Sequence, residues 1–210
     1  MTIMTFREKQ PAEVTLKTLP DRIFFTGVPG SRWSSVAQTL EQISGINTSD
    51  HSGARQYSAN GQFNRHTGAY FGHEMEFRPI LDAKYLDMAW TNPGGCKIVK
   101  SHEWAYRLND ITNAFPNDWI MMVYRPDASS YAWWHEAGGF NISYPSYKWY
   151  KNHAHMMGEI AIQNDEILKF AHAHDLTWSS FTDHWIFENF AHAATVRDTS
   201  HDMLVAVFKG

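Results

Sequence analysis

The chain has 210 residues, 43% of them hydrophobic and 19% charged, a profile that suits one folded domain with a sizeable core, or at most one domain with a lid, rather than a disordered protein. Its formal net charge of -4 argues against a broad electrostatic grip on nucleic acid, although a local basic pocket could still be built from its 18 Lys and Arg. Cys96 is the only cysteine, which excludes an intrachain disulfide and a thiolate metal cluster, and no stretch is long and apolar enough to span a bilayer.

Residues 1–20 form a polar lead-in without a signal-peptide apolar run or cleavage pattern, so a reducing, cytoplasmic compartment is expected. Arg22 to Thr26 then reads as a short buried strand, and Gly27 to Ser31 as a tight loop. Trp33, Val36, Leu40 and Ile43 recur at helical spacing, with Gly45 as the stop. From Asn47 to about Gly72 the chain is polar and aperiodic, a length that marks a lid or binding loop; residues 47–78 are the expected lid and acceptor segment. Leu81, Tyr85 and Met88 suggest a short helix, and Asn92-Pro93-Gly94-Gly95 a turn.

Cys96 to Ser101 is the second expected strand. Leu108, Ile111 and Phe115 mark a helix, and Trp119 to Tyr124 is a continuous apolar run suited to a central strand covered on both faces. Asp127 is placed to N-cap the next helix, which Gly138-Gly139 ends. Met156, Ile160, Gln163, Ile167 and Phe170 give a long helix over about 150–174 one apolar face. Leu176 to Phe181 is a candidate strand, Asp183 caps a further helix, and Leu204 to Phe208 is a last strand. Strands alternating with helices imply a single α/β domain over 1–210, three layers deep with a central parallel sheet.

Three strand ends carry groups suited to chemistry. The loop Gly27-Val28-Pro29-Gly30-Ser31-Arg32-Trp33-Ser34-Ser35 leads from a strand into a helix, which points backbone N–H groups and the positive helix end at an anion; the serines add hydroxyls and Arg32 a charge. It is not a Walker A loop: counted from Gly27, the required Gly and Lys positions hold Arg32 and Trp33, and only Ser34 agrees. In Lys100-Ser101-His102, the histidine is a candidate general base and Lys100 a cation on the same side of the strand. Arg125, followed by Pro126 and by Ser129 and Ser130 at a helix start, can hold phosphate oxygens. For each segment alone the plainer readings stand beside these: an uncommitted turn, a surface His and Lys, a structural Arg bonded to a carboxylate. His153 and His155, like His172 and His174, are two apart. That spacing separates rings by about 200° on a helix, so no metal site is expected.

In this order and spacing the three segments resemble the sulfotransferases that use 3′-phosphoadenosine 5′-phosphosulfate. Thr26 to Ser34 is similar to that family's 5′-phosphosulfate loop, Lys100-Ser101-His102 to the strand end bearing its catalytic base, and Val123-Tyr124-Arg125-Pro126 to the start of its 3′-phosphate segment; Trp133-Trp134-His135 resembles the stretch that follows. The resemblance covers residues 22–45 and 96–137. It implies a P-loop-type nucleotide-binding fold, catalysis by His102 with Lys100 and Arg32, and cofactor contacts from residues 27–35, Arg125 and Ser129 or Ser130. It also implies 3′-phosphoadenosine 5′-phosphate as product, no metal, and a small-molecule or glycan acceptor with no nucleic acid; a homodimer is admitted but not required. Two departures stand out. The loop's usual basic residue aligns with Gly30, and the usual serine of the third segment aligns with Ala132. They leave open a nucleotide-binding or interaction protein impaired in catalysis and, further off, a small-molecule kinase.

Overall fold

The computed structural model describes residues 19–50, 76–142, 144, 147–196 and 202–210. The lid expectation for 47–78 falls largely on residues 51–75, outside the described residues. The described residues form five strands: β1 (Arg22–Gly27), β2 (Lys97–Lys100), β3 (Trp119–Tyr124), β4 (Ser179–Ser180) and β5 (Leu204–Lys209). They form one sheet in the order β2-β1-β3-β5-β4. β1 runs parallel to β2 and β3, while β5 runs antiparallel to both β3 and β4. The α/β class holds, but the sheet is mixed rather than parallel. Strand direction has no signature in an apolar run: Leu204 to Phe208 reads the same either way, and the observed register pairs Lys209 with Trp119, its ammonium 4.5 Å from the indole centroid.

Among the described residues six α-helices flank the sheet: α1 (Trp33–Leu40), α2 (Ala83–Asp87), α3 (Leu108–Ala114), α4 (Asp127–Glu136), α5 (His153–Ala173) and α6 (Asp183–Phe190). All six residues of β1 are buried, and alternate residues feed opposite cores. Phe24, Val99, Ile120 and Met122 pack with Leu108, Ile111, Trp134, Met156, Ile160 and Ile167 from α3, α4 and α5. Ile23, Phe25, Met121 and Val123 pack with Val36, Leu40, Trp185 and Ile186 from α1 and α6. The continuous apolar run of β3, and Ile23-Phe24-Phe25 within β1, are therefore the mark of strands covered on both faces.

Helix boundaries follow local caps. Asp82 accepts from Tyr85 N at the start of α2, Asn152 from His155 N at α5, and Thr182 from Trp185 N at α6. Thr182, not Asp183, is thus the cap of α6. Likewise Pro126 occupies the cap position of α4 and Asp127 its first turn, where its carboxylate accepts from Asn164 Nδ2 of α5 at 2.6 Å. The candidate strand 176–181 is reduced to Ser179–Ser180.

Candidate functional site

β1 lies between β2 and β3, so the chain leaves β1 to one side and returns on the other. In open α/β sheets the strand ends at such a reversal border the crevice where ligands bind. Gly27 ends β1, Ser101 and Arg125 follow the carboxyl ends of β2 and β3, and the register sets Phe25 opposite Lys100 and Gly27 opposite Val123. The sequence-selected segments therefore converge on one edge.

The loop after β1 is a tight turn in which Ser31 N donates to the Val28 carbonyl at 3.0 Å; Val28 and Pro29 are buried. Gly30 has φ +79°, and a Cβ there would lie 1.9 Å from the Ser130 carbonyl oxygen. The first turns of α4 thus occupy the space that a basic side chain would need, which gives the Gly30 departure a packing reason. Arg32, the N-cap residue of α1, also sits in the left-handed region, at φ 67°, and its side chain does not cap the helix. Such strain in a non-glycine residue is concentrated at functional sites. Its guanidinium lies 4.0 Å from the Trp133 ring centroid, and that of Arg125 lies 5.7 Å from the same ring.

His102 opens a 3-10 turn (His102–Tyr106) whose start is capped by Ser101 Oγ, accepting from Glu103 N. The ring is buried, stacks on Trp33 with centroids 4.2 Å apart, and hydrogen-bonds through Nδ1 to the Gly27 carbonyl. A carbonyl only accepts, so Nδ1 carries the hydrogen and Nε2 the lone pair. Nε2 faces Glu76 Oε1 at 3.3 Å. The other oxygen, Glu76 Oε2, accepts from the His102 amide and from Tyr147 OH, each at 2.7 Å. Burial, with Lys100 adding to it, lowers the imidazolium pKa to about 3 against the pull of the Gly27 bond, so this ring resists a second proton.

Lys100 is buried beside Trp33, 5.7 Å from the ring centroid. Burial lowers its ammonium pKa, opposed by Glu41, Glu76 and Asp50. Arg125 is engaged: Nε donates to Asp202 Oδ2 at 3.0 Å and Nη1 to the Gly30 carbonyl at 3.3 Å. Ser129 also bonds the Asp202 carboxylate, while the buried Ser130 donates its hydroxyl to the Arg125 carbonyl at 3.2 Å. Arg125, Ser129 and Asp202 therefore form one latch, and Ser130 is a backbone brace. Ser34 and Ser35 stand half-buried in the first turn of α1, where Ser35 N bonds the Arg32 carbonyl.

The site fits an anion at the loop. The Ser31 hydroxyl is fully buried against Gly27 and has no hydrogen-bond partner among the described residues, beside the first-turn amides of α1 that have no carbonyl ahead of them. At the Arg125 end, an incoming phosphate would have to displace Asp202. Three participants were not singled out from sequence: Glu76, Tyr147 and Asp202. Glu76 lay within a stretch expected to contribute to the acceptor site, but nothing in the sequence ties it to His102. Tyr144, 5.8 Å from the His102 ring centroid, joins Tyr147, Trp149 and Tyr150 in an aromatic cluster on this side.

Among the described residues, no group of three or more His, Cys, Asp and Glu is placed to hold a metal ion, and no helix is long and apolar enough to cross a membrane. His153 instead meets Tyr131 OH at 2.6 Å, and His155 bonds its own helix cap Asn152. No protein-family model, curated protein or solved structure significantly matches this chain.

Proposed function

We propose that the chain binds 3′-phosphoadenosine 5′-phosphosulfate and passes its sulfonate to a hydroxyl or amine of a small molecule or glycan. The observation that carries this reading is the direct hydrogen bond between the His102 ring and the Gly27 carbonyl: the base candidate and the anion loop form one unit at adjacent strand ends. When bound, the nucleotide supplies an activated sulfonate whose bond to the 5′-phosphate breaks as the acceptor bond forms. The protein's part is to position and to balance charge. Ser31 Oγ and the amides of Trp33 and Ser34 face the 5′ anion. Lys100 and Arg32 take over the role of the cation absent at Gly30; burial disfavours charge on Lys100, and an anion beside it restores that charge. Arg125, released from Asp202, binds the 3′-phosphate with Ser129. His102 receives the acceptor proton at Nε2.

A second reading, nucleotide binding without transfer, draws on the same geometry: Asp202 occupies Arg125, and the Glu76 carboxyl stands 3.3 Å from His102 Nε2, where an acceptor would have to enter. Labelled-sulfonate transfer to a panel of phenols, amines and sugars separates the two. The first reading expects a labelled product that His102→Ala abolishes while product-nucleotide affinity stays within about twofold. Binding without transfer to any acceptor supports the second, and absence of binding overturns both.

A further inference from the structure

We propose that the cleft between α5 and the segment formed by the 3-10 turn and α3 binds a small organic ammonium, a primary amine carried on an apolar body. The inference uses none of the residues assigned to sulfonate transfer and does not rest on that reading. The cleft holds a cavity of about 360 Å³, a volume at the lower end of small-molecule pockets. Ala105, Leu108 and Phe170 give it an apolar lining, and the Tyr106 ring stands in its wall. Through Tyr106 the cavity meets Glu159: the phenol donates to Glu159 Oε1, which also accepts from Gln163 Nε2 at 2.9 Å. Glu159, Gln163, Glu166 and Phe170 step by four, three and four along α5. One helix face therefore carries both part of the cavity wall and these two buried polar groups.

Two observations point to a cation. Glu159 is 8% exposed, yet the groups that bond it, a phenol and an amide, are both neutral. Among the described residues no Lys or Arg pairs with it: Lys169 bonds Asp165 and Glu166, and Arg107 bonds Asp110. A buried carboxylate without a counter-charge is costly, and a bound ammonium supplies that charge. Glu103, in the same 3-10 turn as Tyr106, makes the field more negative; burial, with Glu76 and Glu159, pushes its carboxyl up. The second observation is Gln163. It is fully buried, and its carbonyl Oε1 has no hydrogen-bond partner among the described residues, while its amide nitrogen bonds Glu159. Carboxylate and carbonyl side by side suit a group that only donates. An ammonium brings three donors where the Tyr106 hydroxyl brings one, and the phenol ring is a face over which a cation can enter. A metal ion fits less well: among the described residues no three His, Cys, Asp or Glu are grouped to hold one, and the lining is apolar.

Calorimetric titration of the full chain with 2-phenylethylamine and n-hexylamine tests the site, with 2-phenylethanol as neutral isostere and calcium chloride as metal comparator. At least one amine should bind saturably and about tenfold more tightly than the alcohol. Glu159→Gln keeps the shape and an acceptor oxygen but removes the charge, and should weaken amine binding by about tenfold or more. Tyr106→Phe removes only the competing hydroxyl from an exposed side chain and should tighten it, which decides the matter if Glu159→Gln does not fold. No amine binding at about 10 mM, equal affinity for amine and alcohol, or a preference for calcium would overturn the proposal. So would an affinity unchanged in Glu159→Gln, or one not tightened in Tyr106→Phe. Binding of N-acetyl-lysine methylamide more tightly than either amine would overturn the small-molecule source in favour of a protein lysine.

Discussion

Replacing Gly30 by lysine puts a cation where the sulfotransferase loop pattern has one, yet the backbone argues that the fold cannot accept it. Gly30 holds φ +79°, a conformation that costs an L-residue about 1–2 kcal/mol. Its missing Cβ would stand 1.9 Å from Ser130 O and 2.8 Å from both Ser130 C and Trp134 N, all backbone atoms of α4. Moving that helix start is overpacking of the kind that costs about 1–3 kcal/mol. The sum, about 2–5 kcal/mol, corresponds to a fall in Tm of about 4–20 °C for a domain of this size. Gly30→Ala should show nearly the same loss as Gly30→Lys, because the clash is at Cβ and not along the side chain. Gly94→Ala, with nothing within 4 Å of its Cβ, is the control and should stay within about 0.5 kcal/mol of the wild type. The assay is calorimetric unfolding of the three variants. A Gly30→Ala protein that melts with the wild type would refute the packing argument and reopen Gly30 as a free position.

The Asp202 latch gives a second prediction. Asp202→Asn should tighten binding of 3′-phosphoadenosine 5′-phosphate by about two- to fivefold, the worth of a half-exposed ion pair of about 0.5–1 kcal/mol, and an unchanged or weaker affinity would remove Arg125 from the 3′-phosphate role. Although burial pushes the Asp202 carboxyl up, the hydrogen bonds from Arg125 and Ser129 hold it below the usual carboxylate range. Its contribution to stability is therefore present above the unfolded pKa and lost as pH falls through the folded one; urea unfolding at pH 3 to 6 should show a shallower acid loss in Asp202→Asn than in the wild type. Burial, with Asp118 and Asp21, pushes the Cys96 thiol up to about 12, so iodoacetamide at pH 8 should label it only on unfolding. Labelling of the native chain at the rate of a free thiol would contradict that.

What the sequence made legible follows from burial. β1 and β3 could be read because each is covered on both faces, which gives consecutive apolar residues, Ile23 to Phe25 in β1 and Trp119 to Tyr124 in β3, and α5 because its inner face repeats at helical spacing. The loop and the two strand ends could be read because Gly27, Lys100, His102 and Arg125 keep a fixed order along the chain. The direction of β5 could not, since an apolar run reads the same either way. Nor could Glu76 or Asp202: each reaches its partner across the fold, 26 positions from His102 and 77 from Arg125, with no local pattern to mark it. The left-handed backbone of Arg32 was equally hidden, because the residue type that usually signals φ > 0 is glycine and here it is arginine.

The central claim is a nucleotide site at the ends of β1, β2 and β3, and calorimetric titration with 3′-phosphoadenosine 5′-phosphate tests it most directly, with AMP and Mg-ATP as comparators. The expected result is binding that needs the 3′-phosphate and weakens in Arg125→Ala. No binding, or a preference for Mg-ATP, would contradict it and withdraw the enzyme reading.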